Sequence, residues 1–257
     1  SEDYPFELQY NEGLLVEVDS LGNSIVVGVN KTSRVDTVNI RVFDSEGNLT
    51  SNNDYTMDET TYSVPHDFII DKDGNYVVSG LYFNSETYNY TYFIMVINST
   101  NGELIGSNSF LGLNYGSDAS NYYYIKSFLY ENSEEYGLVA GLGDRAKAYN
   151  ISKDTLNYSE MTLPGKIHSL DYNDENVTFL YGNDPMYVYT ANISNISQSA
   201  WAIGPVFVTY NNVYNMHVYI DSQGLVYYTD QWYDGEDLSS VYIYDQSGAN
   251  IYNRVNE

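Results

Sequence analysis

Hydrophobic and polar positions along this chain alternate in short runs, and one arrangement of them returns five times. It is an extended run, a polar turn of Asp, Gly and Asn type, then a β-branched run closed by a small or turn residue. The copies are LLVEVDSLGNSIVVG (14–28), HDFIIDKDGNYVVSG (66–80), SFLYENSEEYGLVAG (127–141), HSLDYNDENVTFLYG (168–182) and HVYIDSQGLVYYTD (217–230). Their closing residues, Gly28, Gly80, Gly141, Gly182 and Asp230, stand 52, 61, 41 and 48 residues apart. Spacing of that size marks supersecondary units repeated around a propeller or along a solenoid.

Each copy parses into four strands, because runs rich in Val, Ile, Tyr, Phe and Thr lie between turn residues and nowhere does a 3.6-residue period persist. The first unit reads as strands at 14–19, 24–29, 37–43 and a weak 49–55. The second reads as 65–70, 76–82, 92–97 and 104–110, and the third as 124–130, 138–142, 146–151 and 156–161. The fourth gives 167–172, 177–181, 186–193 and 199–203, and the fifth 216–220, 225–229, 240–244 and 250–255. The expected fold is all-β: a five-bladed β-propeller occupying 13–257, with blades near 13–57, 64–113, 124–162, 166–204 and 215–257. A flat sandwich of about 20 strands is the rival, but it would not need the same turn phrase at matching points of successive units.

The phrases DSLGNSIVVG and DKDGNYVVSG, with weaker echoes in the other three copies, resemble a blade signature D-x-x-G-N-x-x-V-x-G. That signature belongs to secreted β-propeller repeat proteins of bacteria and archaea, of cell-surface type. The resemblance implies fold and secretion; such families include enzymes, lectins and scaffold proteins, so it does not imply an activity.

The N-terminus adds one element too many. In Tyr4-Pro5-Phe6-Glu7-Leu8-Gln9-Tyr10 the even positions are large and apolar and the odd ones are not, the period of a strand with one buried face. Five blades already have four strands each, so residues 1–12 form an extra strand or arm. Tyr4, Phe6, Leu8 and Tyr10 either fold back onto the ring or add to an exposed blade edge of the next molecule. Pro5, which cannot donate to a ladder, suits an edge or donated strand. Head-to-tail repetition of such a contact yields a filament when it does not close.

Composition narrows the setting. Of 257 residues 43% are hydrophobic, ample for a core, yet no apolar run reaches the ~20 residues of a membrane helix. Cys is absent, which removes disulfides and thiolate metal sites. The chain begins at Ser1 with neither Met nor signal peptide, as expected of a processed chain and equally of one trimmed for expression. Ten Lys and Arg stand against 35 Asp and Glu, a net charge of −25, so nucleic acid is not an expected partner.

Nine Asn-x-Ser/Thr acceptors, at Asn30, Asn48, Asn89, Asn98, Asn150, Asn157, Asn176, Asn192 and Asn195, point to a sugar-coated extracellular or cell-surface protein. An unmodified Asn-rich surface is the plainer alternative. Thirty Tyr and nine Phe are expected to pack strand on strand and sheet on sheet; a rim that stacks on carbohydrate is the second use for them.

Candidate chemistry is sparse. His66 and His168 stand 14 residues before their closing Gly and His217 stands 13 before Asp230, so all three fall near the start of an innermost strand. Leu14 and Ser127 take that place in the first and third copies. Three imidazoles at one height in a channel would suit Zn²⁺, with Asp67 or Asp171 in support; the plainer expectation is a repeat position that bonds a neighbouring turn. Asp71, Asp73 and Asn75 place oxygens at alternate positions as Ca²⁺ ligands do, without the full loop or its distal Glu. Asp19, Asp67 and Asp171 are the carboxylates a channel glycosidase would draw on, yet nothing sets two of them at a catalytic separation. No nucleophile elbow, phosphate loop or dinucleotide fingerprint occurs. The expected role is non-catalytic: a self-assembling subunit of a filament or surface layer linked through its N-terminal strand, its partner being itself. The alternative is a monomeric secreted propeller holding a carbohydrate or metal in its channel.

Overall fold

A computed structural model of the chain describes residues 15–31, 36–56, 61–84, 89–111, 126–142, 145–164, 167–182, 186–194, 199–203, 213–233 and 237–256. They form five four-stranded antiparallel sheets with hairpin-linked neighbours, and the described residues contain no helix. The first sheet is β1 (Leu15–Val18), β2 (Ser24–Lys31), β3 (Asp36–Phe43) and β4 (Leu49–Tyr55). The second is β5 (Thr61–Ile70), β6 (Tyr76–Asn84), β7 (Asn89–Ile97) and β8 (Leu104–Leu111), joined to the first by one parallel bridge from Asp36 to Tyr62. The third is β9 (Lys126–Glu131), β10 (Glu135–Leu142), β11 (Arg145–Ser152) and β12 (Tyr158–Pro164). The fourth is β13 (Ile167–Tyr172), β14 (Asn176–Gly182), β15 (Met186–Asn192) and β16 (Ser199–Ile203). The fifth is β17 (Val213–Ile220), β18 (Val226–Tyr233), β19 (Asp237–Tyr244) and β20 (Asn250–Asn256).

The chain divides into two compact units, Ser1–Tyr123 with Ser152–Asn157, and Tyr124–Ile151 with Tyr158–Glu257. In the first, the sheet carrying Ile25, Val38 and Ile40 packs on the sheet carrying Phe68, Val78 and Phe93, all buried. In the second, Tyr130, Val139 and Ala148 meet Val177, Phe179 and Ala191, and Leu180 and Val188 meet Val218, Val226 and Tyr228. Each buried Val, Leu, Ile or Phe among them contributes ~1.5–3 kcal/mol by leaving water. Alternation decides which face is buried: along β17, His217 and Tyr219 are exposed while Val218 and Ile220 are buried.

Tyrosine serves this packing from within each sheet. Tyr92, Tyr130, Tyr149 and Tyr228 are fully buried. Across β14 and β15 the directly paired rings of Phe179 and Tyr189 stack at 4.7 Å, and those of Tyr181 and Tyr187 at 5.5 Å.

The recurring turn has one construction. In Asp19–Asn23, Asp44–Asn48, Asp71–Asn75, Asp221–Leu225 and Asp245–Ala249 the leading Asp Oδ1 accepts the backbone N–H groups two and four residues on, at 2.7–3.0 Å. The fourth residue is Gly22, Gly47, Gly74, Gly224 or Gly248, at φ between +77° and +86°, where a side chain would be strained. Where Asn closes the turn, its Nδ2 donates to the second Asp oxygen, as Asn23 does to Asp19 at 2.8 Å. Two of the five turns, at Asp44 and Asp245, join third to fourth strands, so one turn serves two different hairpins of the sheet.

Bulges recur as regularly. The first strand of the second, fourth and fifth sheets pairs through four residues from its turn and then slips by one. The slip falls at His66 in β5, at His168 in β13, and within the Tyr214 to His217 interval of β17. Four of the five fourth strands slip near their start, at Thr50, Ile105, Ala200 and Ile251, while β12 runs in unbroken register. An extra residue at these points bends the strand and raises its local twist. Strands expected at 65–70, 138–142 and 216–220 begin earlier, at Thr61, Glu135 and Val213, and the span expected at 156–161 begins later, at Tyr158, because Leu156 sits at φ 55° in the turn before it, its N–H donating to Ser152 O.

Candidate functional site

The histidines do not share one repeat position, which corrects the sequence expectation by a residue. His66 and His168 are the bulged residues of β5 and β13, whereas His217 pairs directly with Thr229, and Met216 takes the equivalent place. The turn of the fourth copy, Asn173 to Asn176, is the shortest of the three, and that difference hides the slip when residues are counted from the closing residue. The His66 ring lies edge-on to Tyr92 at 6.5 Å, His168 is half-buried, and His217 is exposed. Among the described residues no three His, Asp or Glu side chains are gathered to hold a metal ion.

The carboxylates picked from the sequence have local duties. Asp71 accepts Asp73 N and Asn75 N at Oδ1 and Asn75 Nδ2 at Oδ2, as the other turn aspartates do, and Asp19 does the same in its own turn. Asp67 Oδ1 accepts Phe68 N at 2.9 Å.

Asp171 does something more. With Ser169 and Asn173 it forms a polar column along β13: Val218 N donates to Ser169 Oγ (3.2 Å), Ile220 N to Asp171 Oδ2 (2.9 Å), and Asn173 Nδ2 donates to Asp221 O (2.8 Å). β17 is the edge of its sheet, and alternate N–H groups along an edge have no ladder partner. Ser169 and Asp171 supply two such partners from the neighbouring sheet of the same unit, and Asn173 adds a bond to a carbonyl just beyond β17. Burial pushes the Asp171 carboxyl above the usual carboxylate range, against the opposing pull of the Ile220 and Tyr172 N–H groups.

Sequence reasoning passed over a second carboxylate, Asp230. It is buried, accepting Tyr228 OH at Oδ2 (2.7 Å) and the Ser240 hydroxyl at Oδ1. Burial first, then the Asp230 charge, drive the Tyr228 hydroxyl well above its ordinary range. The signal was present: Asp230 stands at the closing position that is Gly in every other copy.

The acceptor asparagines differ in freedom. Asn157 and Asn192 are exposed, and Asn192 uses only its Oδ1, for Ser194 N. Asn98 accepts Thr100 N and Asn101 N at Oδ1, and Asn176 donates its backbone N–H to Asn173 Oδ1. The Nδ2 of Asn48 is held by Asp44 at 3.0 Å and that of Asn30 by Asp54 at 3.0 Å, while Asn150 Oδ1 accepts the buried Tyr130 hydroxyl at 3.3 Å. Asn195, the side chain of Asn89, and the arm residues Tyr4, Phe6, Leu8 and Tyr10 lie outside the described residues.

The fourth strands complete the inventory of surfaces. Among the described residues each ends its sheet, and β20 is open: Ile251 is 56% exposed and Tyr252 44%, and Asn253 and Arg254 are exposed too, so neither of its faces is covered along that stretch.

Five sheets of this kind place the chain among β-propeller folds. It is similar to the WD40 domain of Toxoplasma gondii coronin (TM-score 0.60, 7% identity, 98% of this chain and 61% of that one). It is similar also to the Dos1 propeller (0.50, 11%, 95% and 74%) and to a Synechocystis apocarotenoid oxygenase (0.61, 9%, 95% and 61%). The chain thus spans less than two thirds of the length of two of these three. At such identities the likeness concerns fold alone. No protein-family pattern and no curated protein matches the chain in sequence.

Proposed function

We propose that this protein is a non-catalytic, glycosylated extracellular or cell-surface subunit that self-assembles, its five sheets closing as a propeller and its residues 4–10 donated as a strand to the next copy. The observation that carries the reading is a surplus. The five sheets have four strands each between Leu15 and Asn256, and residues 4–10 add a further strand pattern with one apolar face. Open fourth-strand edges supply the complementary half, since an added strand gains main-chain hydrogen bonds along the edge and pockets for alternate side chains. Repetition head to tail generates a filament or layer. The net charge of −25 and exposed acceptors such as Asn157 and Asn192 keep neighbouring polymers apart and soluble.

Sedimentation velocity across a range of protein concentrations tests this. The full chain is expected to shift to larger species as concentration rises and a variant lacking residues 1–11 to stay monomeric. A full chain that stays monomeric throughout contradicts the reading.

A further inference from the structure

We infer that the acceptor for the donated strand is the free edge of β20 in a second copy of this chain, an assignment that rests on the self-assembly reading above. Three observations favour β20 as the acceptor, and the second, charge, separates it from every other fourth strand.

The first is exposure. Beyond its bulge β20 runs in unbroken register with β19, from Tyr252 opposite Ile243 to Asn256 opposite Ser239, and among the described residues it ends its sheet. Residues 251 to 254 are exposed on both faces, so a strand laid alongside would find its main-chain edge and both flanks open. β8 is less available, since Asn108 Nδ2 donates to Leu156 O at 2.7 Å and Leu156 lies over Gly106.

The second is charge. The arm, residues 1–12, carries Glu2, Asp3, Glu7 and Glu12 and no Lys or Arg. β20, NIYNRVN, carries Arg254 and no acid, in a chain with only 10 Lys and Arg. By contrast β4 (LTSNNDY) carries Asp54 and β12 (YSEMTLP) carries Glu160, already paired with Lys147 at 2.9 Å, while β8 (LIGSNSFL) and β16 (SAWAI) are uncharged. Of the fourth strands, β20 alone offers a cation to an acidic arm, which favours that edge and disfavours β4 and β12 through like-charge approach.

The third is pattern. Tyr4, Phe6, Leu8 and Tyr10 need an apolar flank, and Ile251 and Tyr252 display one at the open end of β20. Seven residues of arm match the seven of the strand. The same exposed edge left uncovered would be an aggregation liability, which a dedicated partner strand removes.

The absence of Cys makes crosslinking a direct test. Leu8→Cys protein is mixed with Tyr252→Cys or Asn253→Cys protein under mild oxidation, with Asn52→Cys on β4 and Ser107→Cys on β8 as competitors. Disulfide-linked dimers are expected with one or both β20 positions and not with the competitors. A second variant keeps the result independent of geometry: Arg254→Glu should raise the concentration needed for assembly roughly two- to fivefold at low salt, with Glu7→Lys restoring it. Crosslinks at Asn52→Cys or Ser107→Cys but not on β20 overturn the acceptor and leave strand donation standing. A wild-type chain that forms no polymer overturns both.

Discussion

The Asp171 carboxylate accepts the backbone N–H of Ile220 at 2.9 Å, so a side chain of one sheet completes the hydrogen bonding of the first strand of the next. Ile220 is buried, and removing the acceptor strands its N–H away from water. Asp171→Ala is therefore expected to destabilise by about 1–3 kcal/mol. Asp171→Asn keeps an oxygen acceptor and removes the cost of a half-buried charge, so it should leave stability within about 1 kcal/mol of wild type at neutral pH. Urea unfolding of both variants checks the contrast. Because burial raises this carboxyl in the folded state, the proton is bound more tightly folded than unfolded. The Asp171 contribution therefore weakens as pH rises through the folded value, and Asp171→Asn should remove that dependence.

The turn aspartates have the opposite sign. Hydrogen bonds from Asn48 hold Asp44 below its usual range, and those from Ser247 lower Asp245. Folded-state values below the unfolded ones mean stability that is complete above the ordinary carboxylate range and is lost as pH falls through the depressed folded values. Thermal unfolding should show Tm falling below about pH 4, less steeply in an Asp44→Asn, Asp245→Asn double variant, whose turns titrate no carboxylate.

Gly74 sits at φ +81° with open space where a Cβ would project, so Gly74→Ala carries backbone strain alone. The expected loss is ~1–2 kcal/mol. Gly137 is the other kind. Paired with Tyr130 across β9 and β10, it lies under that ring, and a Cβ would collide with the ring atoms. Gly137→Ala should be the more damaging of the two, since a fully buried Tyr130 must leave its rotamer or shift its strand. Comparison of the two unfolding midpoints checks the order.

Much of the fold was legible because the first, second and fifth units repeat their punctuation: Asp and Gly at fixed offsets specify a turn, and in every unit the runs between turns are too short and too β-branched for anything but strands. The turns at Asp44 and Asp245 carry the same letters and were passed over because they fall outside the repeated phrase. Bulges were not legible. His66 and His168 mark the slip in two sheets, but in the third it falls between Tyr214 and His217, and no residue type common to all three sites announces it. The duty of Asp171 was hidden for a related reason: its partner Ile220 is 49 residues away and belongs to another sheet, and no local pattern marks which N–H groups an edge leaves unpaired.

The acceptor asparagines should be used unequally. Asn157 and Asn192 are exposed, whereas Asp44 and Asp54 hold the amide nitrogens of Asn48 and Asn30, and Asn150 serves the buried Tyr130 hydroxyl. Glycopeptide mass spectrometry of natively produced protein should find Asn157 and Asn192 occupied more fully than Asn30, Asn48 and Asn150. Equal occupancy at all five would contradict this ordering.

Electron microscopy of natively produced protein, beside a variant lacking residues 1–11, tests the proposed strand donation most directly. Regular filaments or sheets from the full chain and dispersed globular particles from the truncated one are the predicted result. Separate particles of the same size in both samples would contradict the account.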